Sequence, residues 1–291
     1  MLALKPRPDV RLKFRRLLRK SMTIAIGTHF ADGVILCADT KLVDSSGIVS
    51  YGGKISAMEA GNGRTFAITH AADDANAATM LANEILDALG NSLEHHQFEP
   101  VIKQCMMRWQ SDYAQSTVPL VQFLIACGSA SHPSLLFCQP PNVVIRKYRQ
   151  DPIAIGSAVR VVEALLPFVL VQPSGAADPD LIVMDAESTL LKLAYLMRRA
   201  KSEDLYAGGD TDTMIVRRDG TWAQTKRAEM KKAEEFSKKL DLYFRWACYG
   251  LFSQQSEDDQ KAFMRRFSSL YLRDVNEASK MWFPSLEGLG D

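Results

Sequence analysis

The segment Thr23-Ile-Ala-Ile-Gly-Thr-His-Phe30, a break at Ala31-Asp32, then Gly33-Val-Ile-Leu-Cys-Ala-Asp39 decides how the rest of the chain is read. Two apolar, β-rich runs separated by the turn-forming Ala31-Asp32-Gly33 predict a β-hairpin. Working forward, Ile48–Met58 predicts a further strand pair around Gly52-Gly53. Thr65–Ala71 predicts a short apolar strand ending at Asp73-Asp74, where an Asp suits a helix N-cap.

Ala78, Leu81, Ile85 and Leu89 recur at helical spacing within Asp74–Leu89, and Glu99–Gln115 reads as a second helix, so the pair forms a helical hairpin. Val121–Cys127, Ser134–Cys138 and Val143–Tyr148 then predict successive strands of a second antiparallel sheet. The last two are joined by Gln139-Pro140-Pro141-Asn142. Ala158–Val171 and Ala186–Lys201 predict two more amphipathic helices, and Thr213–Arg217 with Thr221–Ala223 the closing strands around Asp219-Gly220. The order strands, two helices, strands, two helices, strands implies an α+β fold. Each of two sheets buries one face on the other and one face on helices, giving a four-layer αββα sandwich.

Both ends differ from this middle. Residues 1–20 hold eight basic residues and one acid, Asp9, and lie outside the predicted fold. They lack the apolar core of a secretory signal but weakly resemble an organelle transit peptide. From Lys226 onward, Met230, Ala233, Phe236, Leu240, Tyr243 and Ala247, then Phe263, Phe267 and Leu270, fall at helical spacing among many charges and read as packing stripes. The expected organisation is a basic leader at 1–22 that is removed or not translated, a domain at 23–225, and a helical C-terminal extension at 226–291.

Composition excludes several functions. The 291 residues are 47% hydrophobic, enough for a sizeable core, and 35 Lys and Arg against 34 Asp and Glu remove the global electrostatic argument for nucleic acid or an anionic membrane. The five cysteines are widely spaced with no CxxC pair, which points to neither zinc nor disulfides and fits a reducing, cytoplasmic compartment. No apolar run reaches the roughly 18–20 residues that span a bilayer. No cofactor is expected.

With these residues in view, the chain resembles the proteasome β subunits and their bacterial relatives, threonine N-terminal-nucleophile hydrolases. The resemblance runs from Thr23 to about Gln224. It rests on Thr23-Ile-Ala-Ile-Gly27 before Gly33-Val-Ile-Leu-Cys-Ala-Asp39, on Gly52-Gly53-Lys54-Ile-Ser with Lys54 fifteen residues after Asp39, and on Thr69-His70-Ala71-Ala72-Asp73-Asp74. It continues through Ile155-Gly156-Ser157-Ala158 and Glu203-Asp204-Leu205-Tyr206-Ala207-Gly208-Gly209. It implies that Thr23 is the nucleophile, that Asp39 and Lys54 complete its core, and that Ser157 and Asp204 position the amine. The backbone N–H of His70 would be the oxyanion donor. The sequence departs from the family at His70, where Gly is usual, at Ala158, where a second Gly is frequent, and at Ala207, where a Ser completes the network. His70 is expected to narrow access or to titrate near neutral pH. Taken singly, a Lys and an Asp at strand ends are usually solvated, a Ser in Gly-Ser is a turn, and an Asp before Gly-Gly is a cap.

A Thr hydroxyl needs a base within hydrogen-bond reach, and an N-terminal Thr carries one: a free α-amine titrates at about 7.7–8.0. Acylation by Met22 removes it. Two routes free Thr23: autolytic loss of residues 1–22, or translation from Met22 followed by removal of that Met. The second is favoured because Thr is small enough for methionine aminopeptidase and no Gly precedes it. The resemblance implies a threonine peptidase or amide hydrolase acting on peptide or protein substrates, self-assembled into a ring or double ring, with an unidentified ATPase or regulator as a further partner. A catalytically silent scaffold of the same fold and a transpeptidase are the alternatives.

Overall fold

The structure, a computed structural model, describes residues 23–43, 49–60, 63–91, 95–112, 119–128, 133–140, 142–146, 152–169, 184–252, 256–279 and 283. The basic leader and the predicted element ends at 113–115, 147–148 and 170–171 lie outside these residues.

The opening hairpin is present as β1 (Ile24–Phe30) and β2 (Gly33–Asp39), antiparallel with Ala25 opposite Ala38. It does not stand alone. β10 (Ile153–Gly156) pairs with β1, and β11 (Thr211–Arg217) pairs with β2 and carries β12 (Trp222–Ala223), giving the order β10-β1-β2-β11-β12. β2 is therefore internal and buried along its whole length, which is why its sequence is apolar throughout rather than alternating.

The second sheet is a meander of β5 (Ile55–Ala60), β6 (Arg64–Ala72), β7 (Val121–Gly128), β8 (Ser134–Gln139) and β9 (Asn142–Arg146). The strand pair expected around Gly52-Gly53 exists as two strands that do not pair with each other. β4 (Val49–Tyr51) folds back on β3 (Lys41–Val43) with Tyr51 opposite Lys41, whereas β5 joins the meander. The two glycines link the two-stranded β3–β4 ribbon to the meander and are not the turn of a hairpin. The sheets also interleave in sequence, because β10 and β11 close the first one after the second is complete.

Helix α1 (Ala75–Gly90) is capped by Asp74, whose carboxylate accepts from the N–H groups of Asn76 and Ala77, as the Asp73-Asp74 pair predicts. With α2 (Phe98–Asp112) it covers the meander through Leu81, Ile85, Phe98 and Ile102 against Phe66, Ile68 and Phe123. Helices α3 (Val159–Val169) and α4 (Ala186–Glu203) cover the other sheet through Val162, Leu190, Leu193 and Met197 against Ile24, Ile26, Ile35 and Cys37. Between the sheets the core is rich in small residues, with Ala25, Ala38, Ala67, Ala71 and Ala126 beside Leu36, Leu124 and Met214, so the sheets lie close. This is the expected four-layer αββα sandwich.

The C-terminal residues form α5 (Arg227–Phe252) and α6 (Glu257–Ser279). α5 is packed rather than appended. Met230 and Ala233 join the apolar core under β1 and β2, and Arg198 of α4 donates 2.6 Å to Ser237 and bonds Asp241. Cys37, Cys105, Cys127 and Cys138 are buried free thiols. Among the described residues no helix is long and apolar enough to cross a membrane.

Candidate active site

One end of the seam between the sheets gathers the polar groups. The β1–β2 register sets Ile24 beside Asp39, and the Ile24 N–H donates to Asp39 Oδ1 at 3.0 Å. Thr23, just before β1, donates its hydroxyl to the same oxygen at 2.5 Å. Lys54 comes from the other sheet, one residue before β5. Its Nζ donates to Asp39 Oδ1 at 2.7 Å, to the Lys41 carbonyl at 2.5 Å, and to Thr23 Oγ1. The remaining carboxylate oxygen, Asp39 Oδ2, accepts the Gly208 N–H at 2.9 Å.

Asp39 and Lys54 are thus fully buried, not solvated, and every proton of the ammonium has an acceptor. That satisfaction is what makes a buried ion pair tolerable. Burial pushes the Lys54 pKa down. The charge and hydrogen bond of Asp39 oppose this most, and the charge of Asp212 adds to them. The Thr23 hydroxyl sits between carboxylate and ammonium, donating to one and accepting from the other.

The Thr23 backbone is clamped as well. Its carbonyl accepts from Ser157 N at 2.9 Å and Ser157 Oγ at 3.3 Å. Gly156, opposite Ile24 in the β1–β10 pairing, has φ +97°, and a Cβ there would lie 2.0 Å from the Thr23 carbonyl oxygen. Only glycine allows this approach. Gly156 N–H in turn donates to the Gln122 side chain of β7 at 3.1 Å, tying the clamp to the second sheet.

Ser157 and Asp204 meet backbone groups near the cluster. Ser157 meets the Thr23 carbonyl through both its N–H and its hydroxyl. Asp204 caps the C-terminal end of α4 and accepts the Tyr206 N–H at 2.9 Å; among the described residues it makes no hydrogen bond to Thr23. That bond shapes the start of the 204–209 loop, in which the Gly208 N–H meets Asp39. Ala207 is buried in the apolar cluster under the first sheet.

His70 lies on β6 opposite Phe123, one residue beyond the last β5 pairing, Thr69 with Ile55. Its ring faces α1, with Nε2 3.4 Å from Thr79 Oγ1. Burial, and secondarily the Lys54 charge, lower its pKa to about 4, so it does not titrate near neutrality as the sequence suggested. His29 is also lowered to about 4 by burial. Both rings bind a proton more readily in the unfolded chain. Their contribution to stability is therefore full above about pH 6.5 and is lost as pH falls toward about 4. Chemical denaturation of wild type and His70→Gln across this window checks it, with a shallower acid-side decline expected in the variant.

Sequence reading missed the Lys41 carbonyl, Gln122 and Asp212. The first two act through groups that carry no local signal; Asp212 had one in its acidic, strand-end position.

No protein-family model matches the chain, nor does any curated protein. Solved structures do. Anbu, described as an ancestral β-subunit, from Yersinia bercovieri matches with a TM-score of 0.59 at 12% identity, covering 80% of this chain and 98% of that one. Anbu from Hyphomicrobium sp. strain MC1 matches at 0.59 and 14% identity, covering 77% and 97%. The helical assembly of the Anbu complex from Pseudomonas aeruginosa matches at 0.56 and 14% identity, covering 77% and 96%. At such identities the likeness is one of architecture: the chain has the proteasome-like N-terminal-nucleophile hydrolase fold.

Proposed function

We propose that this protein is a threonine-type peptidase or amide hydrolase whose nucleophile is the Thr23 hydroxyl, freed of residues 1–22. The observation that carries the reading is the hydroxyl held between Asp39 and Lys54 in a buried, fully satisfied cluster at the start of β1. With its α-amine free, Thr23 passes the hydroxyl proton to that amine as Oγ1 attacks the amide carbon. The Lys54 ammonium favours the developing alkoxide, and the His70 backbone N–H serves the tetrahedral oxyanion. Collapse expels the amine product, which takes the proton back, and leaves a Thr23 ester. Water then attacks the ester, releases the acid and restores the hydroxyl. An amine in place of water gives transpeptidation. Ser157 supports the Thr23 carbonyl, and Asp204 acts through the loop that carries Gly208.

The catalytic unit in this reading is 23–225, with 226–291 as a helical extension. The chain assembles with copies of itself in the cytoplasm; the helical assembly of the Anbu complex from Pseudomonas aeruginosa supports self-association in this fold. Peptide or protein is the substrate, and an ATPase or regulator is a further partner. The test is a peptide β-lactone added to a chain that begins at Thr23. One adduct, mapped to Thr23, is expected; absence of any adduct would sink the hydrolase reading. The silent scaffold is favoured by one observation, the buried methyl of Ala207 where the resemblance places a hydroxyl, and an unlabelled Thr23 would select it.

A further inference from the structure

We propose that Asp212 is a positioning residue for Lys54 and that Arg227, the first residue of α5, holds it in place, so that α5 bears on the nucleophile's cation through Asp212. The inference rests on the reading of Thr23 and Lys54 given above and adds a residue to it.

Asp212 lies on β11 directly opposite Ala38, one position from Asp39. Along that strand, Met214 and Val216 face the other sheet, and period two places Asp212 on the same face. A Cβ built on Gly53 would lie 3.6 Å from Asp212 Oδ2, so the carboxylate sits against the residue that precedes Lys54. It is 3% exposed, an unusual place for a carboxylate without a job.

What keeps it there is a two-pronged ion pair. Arg227 Nε donates to Asp212 Oδ1 at 2.6 Å and Nη2 to Oδ2 at 3.1 Å, the fork geometry suited to a carboxylate. The neighbouring residue, Thr211, points the other way and bonds Glu234, two turns further along α5, which also accepts from Lys201 at 2.8 Å. The start of α5 therefore grips the Thr211–Asp212 end of β11 from both faces, and Thr211 is the residue paired with Asp39. A helix that only covered the outer layer would not need to reach this strand end.

The groups facing Lys54 are Asp39 of β2, Lys41 of β3 through its carbonyl, His70 of β6, and Asp212 of β11 with Arg227 behind it and Asp210 near Arg227. Asp212 adds negative charge that favours the ammonium, and Arg227 offsets part of it. The alternative is a plain staple that fastens α5 to the sheet and leaves Lys54 untouched.

The experiment is the titration of Lys54 itself by carbon NMR in protein labelled at lysine Cε, its resonance assigned by its loss in Lys54→Arg. Asp212→Asn is expected to lower the Lys54 midpoint, and Arg227→Gln to raise it, each by roughly half a pH unit or more. Opposite signs separate a charge effect from general loosening. Midpoints that stay at the wild-type value, or move together, overturn the proposal. If Asp212→Asn does not fold, Arg227→Gln still decides it, because the Arg227 side chain is 51% exposed and the substitution opens no apolar cavity. The readout is independent of turnover: the predicted shifts in a protein whose Thr23 resists the β-lactone would remove the hydrolase reading alone.

Discussion

Thr23→Ala is expected to slow amide hydrolysis by a chain beginning at residue 23 by about 10⁴-fold or more, the scale seen when a nucleophile acting as part of a unit is deleted. The fold should survive. The lost hydroxyl leaves one Lys54 donor and one Asp39 contact unmet, a cost of about 1–2 kcal/mol against a core spanning four layers. Thr23→Ser keeps the oxygen, its bond to Asp39 and the α-amine, and should retain much of the activity. Steady-state rates with denaturant midpoints check all three proteins together. An Ala variant with wild-type turnover would mean that the chemistry lies elsewhere.

Lys54→Met should be damaging in two separable ways. Chemically it removes the cation beside the nucleophile, and a loss of about 10³-fold in kcat/KM is expected for a preorganised charge of this kind. Structurally it leaves the Asp39 carboxylate, which is fully buried, with backbone and hydroxyl donors but no counter-charge. Breaking a buried pair from one side typically costs about 3–5 kcal/mol. Pairing the change with Asp39→Leu should recover part of that stability and none of the activity: no charge is stranded, but the Ile24 and Gly208 N–H groups lose their acceptor. A double variant as unstable as the single one would show that packing, not charge, sets the cost.

Local signals carried the reading a long way where partners are neighbours in sequence. The Ala31-Asp32 turn and the apolar run to Asp39 fix a register in which Thr23 and Asp39 meet, so half of the site follows from one hairpin. The Asp74 cap and the meander from Val121 to Arg146 were legible for the same reason. Lys54 was reached only through resemblance, because it comes from the opposite sheet.

What failed to show was non-local. Nothing in Val49–Tyr51 says that it turns back to Lys41 rather than forward to Ile55, since both pairings satisfy the same short apolar pattern. Asp204 entered the site only through resemblance, and an Asp at a helix end also finds a backbone N–H within its own loop, as Asp204 does with Tyr206. The α5 stripe predicted packing without predicting that Arg227 would reach β11.

In the proposed mechanism the Thr23 hydroxyl works with its own free amine. The most direct test is the intact mass and N-terminal sequence of the protein produced in cells from its own coding region. A chain whose first residue is Thr23, with an unblocked amine, is the expected result. A chain in which Met22 still acylates Thr23 would leave the hydroxyl without its base and contradict it.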